Sequence, residues 1–279
     1  MSSLVADLRA FGAAARKEWR LLRRYPSMFL GFLFWPIILP ITYVLQGQAY
    51  SGGSQAADSA FLQRTGTLEV AGFLFLGWAA YMWISMVLWG PGTALRTEQI
   101  RGSLEAVFMT PASRLVIIFG PAVSQVIWAF WMFGVVGLAL WLFFGVPFTL
   151  ATVARAVAVI LVAVPALYGL GALFASVVLR FGEVGALVQA VRGVFTALCG
   201  MTFPIIILPQ WARAVAYVLP PTYLISDLRQ VLLTGAALSG LLTDLVALLL
   251  LGALTCVLAV IAFRRTEAYA RQGGSLAQY

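Results

Sequence analysis

Six apolar stretches, at about 28–45, 70–89, 115–144, 156–179, 184–208 and 245–263, limit what this chain can fold into. Each can cross a hydrocarbon layer of ~30 Å at ~1.5 Å per residue of helix, and the third is long enough to tilt. Water cannot be the solvent for such a sequence. Of its 279 residues 62% are hydrophobic and 10% charged, whereas a soluble domain carries about 25% charged residues. The expected fold class is therefore all-α integral membrane. Six transmembrane helices occupy 28–265, after an N-terminal segment 1–27 and before a tail 266–279.

Pro36 and Pro40 fall in the first stretch, Pro165 in the fourth and Pro204 near the end of the fifth. Inside a bundle, neighbouring helices re-satisfy the carbonyls that proline frees, so these positions read as kinks. The segment Gln46–Thr67 reads as a polar external loop. No internal repeat stands out, and the N-terminus lacks the short apolar core and cleavage site of a secretory signal.

Basic residues set the orientation. Arg9, Arg16, Lys17, Arg20, Arg23 and Arg24 precede the first stretch, and Arg96, Arg101 and Arg114 follow the second. Arg180 follows the fourth, and Arg264, Arg265 and Arg271 follow the sixth. The alternate connections hold only Arg64, Arg155, Arg213 and Arg229. The positive-inside rule then puts both termini in the cytoplasm, which an even number of spans requires. The net charge of +8 is spread between apolar segments rather than gathered in a patch, so it reports topology and not nucleic-acid binding.

Before the first stretch, Leu4, Leu8, Phe11, Ala15, Trp19 and Leu22 recur at helical spacing with basic residues around them. This is an amphipathic helix suited to a membrane interface, or alternatively to a partner protein. Between the second and third stretches, Ile100, Leu104, Val107 and Phe108 form a short stripe. A cytoplasmic helix of that kind rests on lipid or docks into a groove on another protein.

Several chemistries are excluded. There is no His, so imidazole metal ligation and imidazole acid–base catalysis are unavailable. No paired acids or nucleophile–base constellation marks a catalytic site, and no metal site is expected. The only Lys, Lys17, has no glycine-rich loop before it, so the chain has no P-loop with which to hydrolyse ATP. Cys199 and Cys256 lie in apolar segments and read as small packing residues.

Charges near the membrane are few. Arg192 lies roughly 12 Å into the fifth stretch at ~1.5 Å per residue. A central Arg costs ~2.5–3.5 kcal/mol, which the dozen or so surrounding Leu, Ile, Val and Phe residues offset by about 4–7 kcal/mol. Either it snorkels to the cytoplasmic headgroups, or it faces a path or interface. Glu69, Asp227 and Asp244 sit near span ends and read as solvated. Phe32, Trp35 and Tyr43 fall along the first stretch, and Trp78 and Tyr81 along the second. They line a path for amphipathic or sugar-bearing cargo, or they are interfacial belts and helix packing.

Two motifs carry a resemblance. The run Glu98…Arg101-Gly102-Ser103-Leu104-Glu105…Thr110-Pro111 resembles the ABC type-2 exporter permeases. So does Phe203-Pro204, Leu208-Pro209, Trp211, Pro220, Thr222-Tyr223, Arg229 and Gly235. Leu219 departs from the pattern, which often has Asn there. The resemblance covers nearly the whole chain and implies an exporter's membrane subunit in a prokaryotic plasma (inner) membrane. It implies a dimer, with a second copy or a related permease, on two cytoplasmic ATPase subunits that hold ATP and Mg. The cytoplasmic coupling helix would be about 97–110, with Glu98, Arg101, Gly102, Leu104, Glu105, Phe108 and Pro111 at the ATPase contact. Short re-entrant external helices would occupy about 209–226, marked by Pro204, Pro209, Trp211, Pro220, Tyr223 and Arg229. A path between the copies would run past the first, second and fifth spans, with Phe32, Trp35, Tyr43, Trp78, Tyr81 and Arg192 as its candidates. The expected cargo is an amphipathic drug-like compound, antibiotic or lipid. The alternatives are a polysaccharide or lipid-linked glycan and, in another class, ion-coupled secondary transport.

Overall fold

A computed structural model describes residues 2–24, 27–51, 55–100, 122–181 and 184–272. All regular structure among them is helical. The α-helices are α1 (Ser2–Arg24), α2 (Ser27–Ser51), α3 (Gln55–Thr65), α4 (Val70–Ile100) and α5 (Ala122–Phe144). They continue as α6 (Leu150–Phe181), α7 (Val184–Leu198), α8 (Gln210–Ala216), α9 (Pro220–Leu233) and α10 (Leu242–Gln272). Short 3₁₀ turns occupy Ile205–Ile207 and Leu238–Leu241.

Among the described residues, four stretches are long and apolar enough to cross a membrane: Val70–Gly90, Ser124–Phe144, Leu150–Val178 and Leu238–Ala262. Helices α4 and α6 form the centre. α4 packs against α2, α5, α6, α7 and α9, and α6 packs along α10. Trp83, Phe75, Leu88, Leu140, Leu167, Leu224 and Leu248 fill the core. Burial separates the helices by role. The α4 window is 78% buried and the α10 window only 22%, and α10 turns Leu242, Val246, Leu249, Leu250, Leu254 and Val257 outward. An outward face built of leucine and valine is what a hydrocarbon solvent requires. Thr255 hides its hydroxyl on the other face, donating to the Ala166 carbonyl on α6 at 3.3 Å.

The prolines at 36, 40 and 165 lie inside continuous helices, as expected. Four boundaries differ from the sequence reading. Gln46–Thr67 is not a loop, because α2 continues to Ser51 and α3 forms from Gln55, with Asp58 in its first turn and Arg64 in its last. Charges so placed suit the helix dipole. Helix α4 is continuous through Ile100, so residues 97–100 belong to it, and the rest of the expected 97–110 helix lies outside the described residues. Helix α10 passes the expected span end at 263 and reaches Gln272. The fifth stretch is not one helix over 184–208, since α7 stops at Leu198. Gly200 turns the chain with φ +70°, a conformation that costs glycine nothing, and Pro204 then has no N–H to continue the ladder.

Candidate functional site

The structure brings together four of the six path candidates. Tyr43 on α2 stacks near Trp78 on α4, ring centroids 5.3 Å apart and tilted 31°. Trp78 meets Tyr81 edge to face at 5.0 Å. The Arg192 guanidinium of α7 lies 4.8 Å from the Tyr81 ring centroid, a cation–π distance. The cluster therefore joins α2, α4 and α7. Trp35 is not part of it, being 57% exposed on α2 beside exposed Phe34 and Ile38. The side chain of Phe32 lies outside the described residues.

Hydrogen bonding separates this cluster from ordinary packing. Trp83, one turn beyond Trp78, donates its indole N–H to the Tyr168 hydroxyl at 3.5 Å and is fully buried. By contrast, Trp78 Nε1 and Arg192 Nε are buried and have no acceptor. The Arg192 side chain reaches only Gln189, from Nη1 to Oε1 at 3.3 Å. Buried donors without acceptors cost about 1–3 kcal/mol each, so the cluster holds unused hydrogen-bonding capacity beside aromatic faces.

The second motif builds a different feature. Pro204 precedes the 3₁₀ turn, Pro209 caps α8, and Pro220 is the first residue of α9. Trp211 is exposed on α8. Tyr223 donates from its hydroxyl to the Tyr217 carbonyl at 2.9 Å, and Thr222 to the Ala216 carbonyl at 2.6 Å. These bonds fold α9 back on α8. Leu219 takes the N-cap position without a side-chain bond. The helix tolerates this because Pro220 and Pro221 remove two of the N–H groups a cap would serve. The next N–H, that of Thr222, donates to the Leu219 carbonyl at 3.1 Å.

Arg229 is the main surprise of this motif. Counted by sequence among outward loop charges, it is instead only 9% exposed. Its Nε and Nη2 donate to the Phe73 carbonyl at 3.1 and 2.8 Å. Nη1 donates to the Gly200 carbonyl and Nη2 to the Met201 carbonyl, both at 2.7 Å. The guanidinium also lies 3.3 Å from the Phe73 ring centroid. One planar fork thus ties α9 to α4 and to the turn after α7, which is the bonding that arginine geometry suits.

Asp227 is a second correction. It reads as a solvated span-end charge, yet it is 0% exposed and neither carboxyl oxygen has a partner. Burial, and then the nearby carboxylate of Asp244, push its pKa from 3.8 up to about 8. The folded protein thus keeps a proton that the unfolded chain releases near the ordinary carboxylate value. Across that window the native state binds more protons, so stability falls as pH rises and levels off above about pH 8. Asp227→Asn mimics the protonated form. Its advantage in melting temperature over the wild type should grow from near zero at about pH 4 to a maximum near pH 8–9. Parallel melting curves at all pH values would refute this.

Of the coupling candidates, Glu98 lies in the backbone of α4, and its side chain is outside the described residues. Arg101, Gly102, Leu104, Glu105, Phe108 and Pro111 lie outside them altogether. No group of three or more Cys, Asp or Glu residues that could hold a metal occurs among the described residues. A family model described as ABC-2 type transporter matches residues 9–233, from within α1 to the last residue of α9. No curated protein matches the chain.

Proposed function

This chain belongs to the ABC-2 type transporter family, and on that premise we propose that it is the permease subunit of an ATP-driven exporter. It is a multi-pass membrane protein and a transport subunit. In the proposed topology, α2 and α7 join the four long apolar helices as shorter spans. Helix α7 is completed by the irregular segment after Leu198, where non-helical backbone at membrane depth is tolerated because it is enclosed by protein. Burial of Cys199, Gly200 and Met201 supports this. Both termini face the cytoplasm of a prokaryotic inner membrane. Two copies, or this chain and a related permease, sit on two ATPase subunits that carry the ATP and Mg.

The observation that carries the cargo site is the Tyr43–Trp78–Tyr81–Arg192 cluster with its two unpartnered donors. Aromatic faces supply apolar contact, and Trp78 Nε1 and Arg192 Nε supply hydrogen bonds to an acceptor. That combination fits an amphipathic compound, an antibiotic or a lipid that bears an acceptor group. Polysaccharide or lipid-linked glycan is a second cargo reading, favoured by the stacked aromatic rings. The segment 97–110 is proposed to rest on the ATPase, with Arg101, Gly102, Leu104, Glu105, Phe108 and Pro111 following Glu98. The two short helices α8 and α9 are proposed to be re-entrant at the external face.

Reconstitution with the partner ATPase in liposomes tests the reading. A panel of amphipathic compounds should stimulate ATP hydrolysis, and Arg192→Ala with Trp78→Phe should reduce that stimulation about tenfold or more without loss of assembly. Glu105→Arg should instead uncouple: cargo still binds, but stimulation and co-purification with the ATPase fall together. Transport by the permease alone, or a Glu105→Arg variant with normal coupling, would refute the proposal.

A further inference from the structure

A cavity of about 500 Å³ opens at one end of the bundle, separate from the aromatic cluster. Its wall comes from Arg64–Thr67, the start of α4, Pro204–Ile206, Tyr217, α9 and the first turn of α10. Phe73 and Pro204–Ile206 belong to the near ends of the second and fifth apolar stretches, and the rest of the wall lies between the first and second or the fifth and sixth. The volume falls within the ~300–1,000 Å³ typical of small-molecule sites.

Charges of both signs line it, Arg64 and Arg229 against Asp244. Arg64 and Asp244 both face the cavity, and among the described residues they form no ion pair with each other. The Tyr217 and Tyr223 rings stand 6.2 Å apart in the same wall. Asp227 is buried and is not part of the wall, but it is close enough to Asp244 for the two carboxyls to act on each other. Arg229, two residues on, is committed to the Phe73, Gly200 and Met201 carbonyls and cannot neutralise it. Asp244, set beside a second carboxyl, therefore favours a ligand that brings charged N–H groups to it. A tyrosine wall favours a cation in addition. Arg64 opposes a lone cation and calls for an anionic group on the same molecule.

We propose that this cavity binds a small zwitterion, its primary ammonium on Asp244 and its anionic group at Arg64. A quaternary ammonium lacks the N–H donors that the carboxyl needs and fits poorly. The same chemistry is offered by a free zwitterion and by an ethanolamine lipid headgroup.

The test uses the purified full chain and needs neither ATPase nor transport, so its outcome is independent of the exporter reading. Phosphoethanolamine is titrated calorimetrically into the protein in lipid-free detergent, beside phosphocholine, ethanolamine and inorganic phosphate. Phosphoethanolamine should bind at least tenfold more tightly than any of the three. Asp244→Asn and Arg64→Gln should each weaken it at least tenfold with unchanged melting temperature. Nanodiscs separate the sources. If the lipid headgroup is the occupant, phosphatidylethanolamine nanodiscs block the probe and phosphatidylcholine nanodiscs do not. If a free zwitterion is, the probe binds in both. Equal affinity for phosphocholine, no binding of phosphoethanolamine in detergent, or full binding by both Asp244→Asn and Arg64→Gln would overturn the proposal.

Discussion

Arg229→Ala is expected to destabilise the protein by about 3–5 kcal/mol, the largest effect of any single side-chain truncation considered. The magnitude follows from what the guanidinium touches. Removing it strips the Gly200 and Met201 carbonyls of their 2.7 Å donors, and each buried group left unsatisfied costs about 1–3 kcal/mol. It also uncovers the Phe73 ring and leaves a hole between α4 and α9, which adds a cavity cost. The loss is a large fraction of the ~5–15 kcal/mol that holds a typical protein folded. Arg229→Lys should recover only part of it, because one ammonium cannot reach carbonyls on two separate segments with fork geometry. Melting in detergent, followed by tryptophan fluorescence and by the monodisperse fraction on size exclusion, gives the readout. An Arg229→Ala variant that melts with the wild type would show that the carbonyls find other donors.

Gly77→Ala attacks the same junction from the opposite side. Helix propensity alone predicts a gain of about 1 kcal/mol for replacing a mid-helix glycine by alanine. Packing predicts the reverse. A Cβ at position 77 would overlap the Met201 carbonyl oxygen and stand 2.6 Å from Arg229 Nη2. The first neighbour is backbone and cannot swing aside, so α4 must separate from the turn after α7. Overpacking of this kind costs about 1–3 kcal/mol, enough to outweigh the propensity gain. The two substitutions should be non-additive, because they disturb one network. In an Arg229→Ala background, Gly77→Ala should cost clearly less than in the wild type. A stabilised Gly77→Ala single variant would mean that α4 does not approach the turn this closely.

Much of the protein was legible without coordinates. The apolar stretches, the helical class and the placing of Pro36, Pro40 and Pro165 inside helices were readable because each depends on residues close in sequence. So was the family, which the match over residues 9–233 shows. The candidate site was legible in part. Tyr43, Trp78, Tyr81 and Arg192 were picked as residue types suited to a path, but nothing local showed that these four meet while Trp35 stays outside. Trp78 and Trp83 look alike in sequence, and only the Tyr168 hydroxyl separates them, satisfying one and not the other.

The failures share a cause. Arg229 and Asp227 read as solvated because charged residues near span ends usually are. Their true state depends on partners far along the chain: Phe73 is 156 residues from Arg229, and Asp244 belongs to the next helix. The stop of α7 at Leu198 depends likewise on a glycine turn whose carbonyls Arg229 satisfies. Sequence by itself determined the solvent and the helical class, since about twenty consecutive apolar residues leave a backbone no option but helix in lipid. Only the tertiary structure decided which polar groups are buried, where the fifth stretch breaks and which aromatics converge. Those outcomes rest on hydrogen bonds and contacts between segments, and no local pattern encodes the partner.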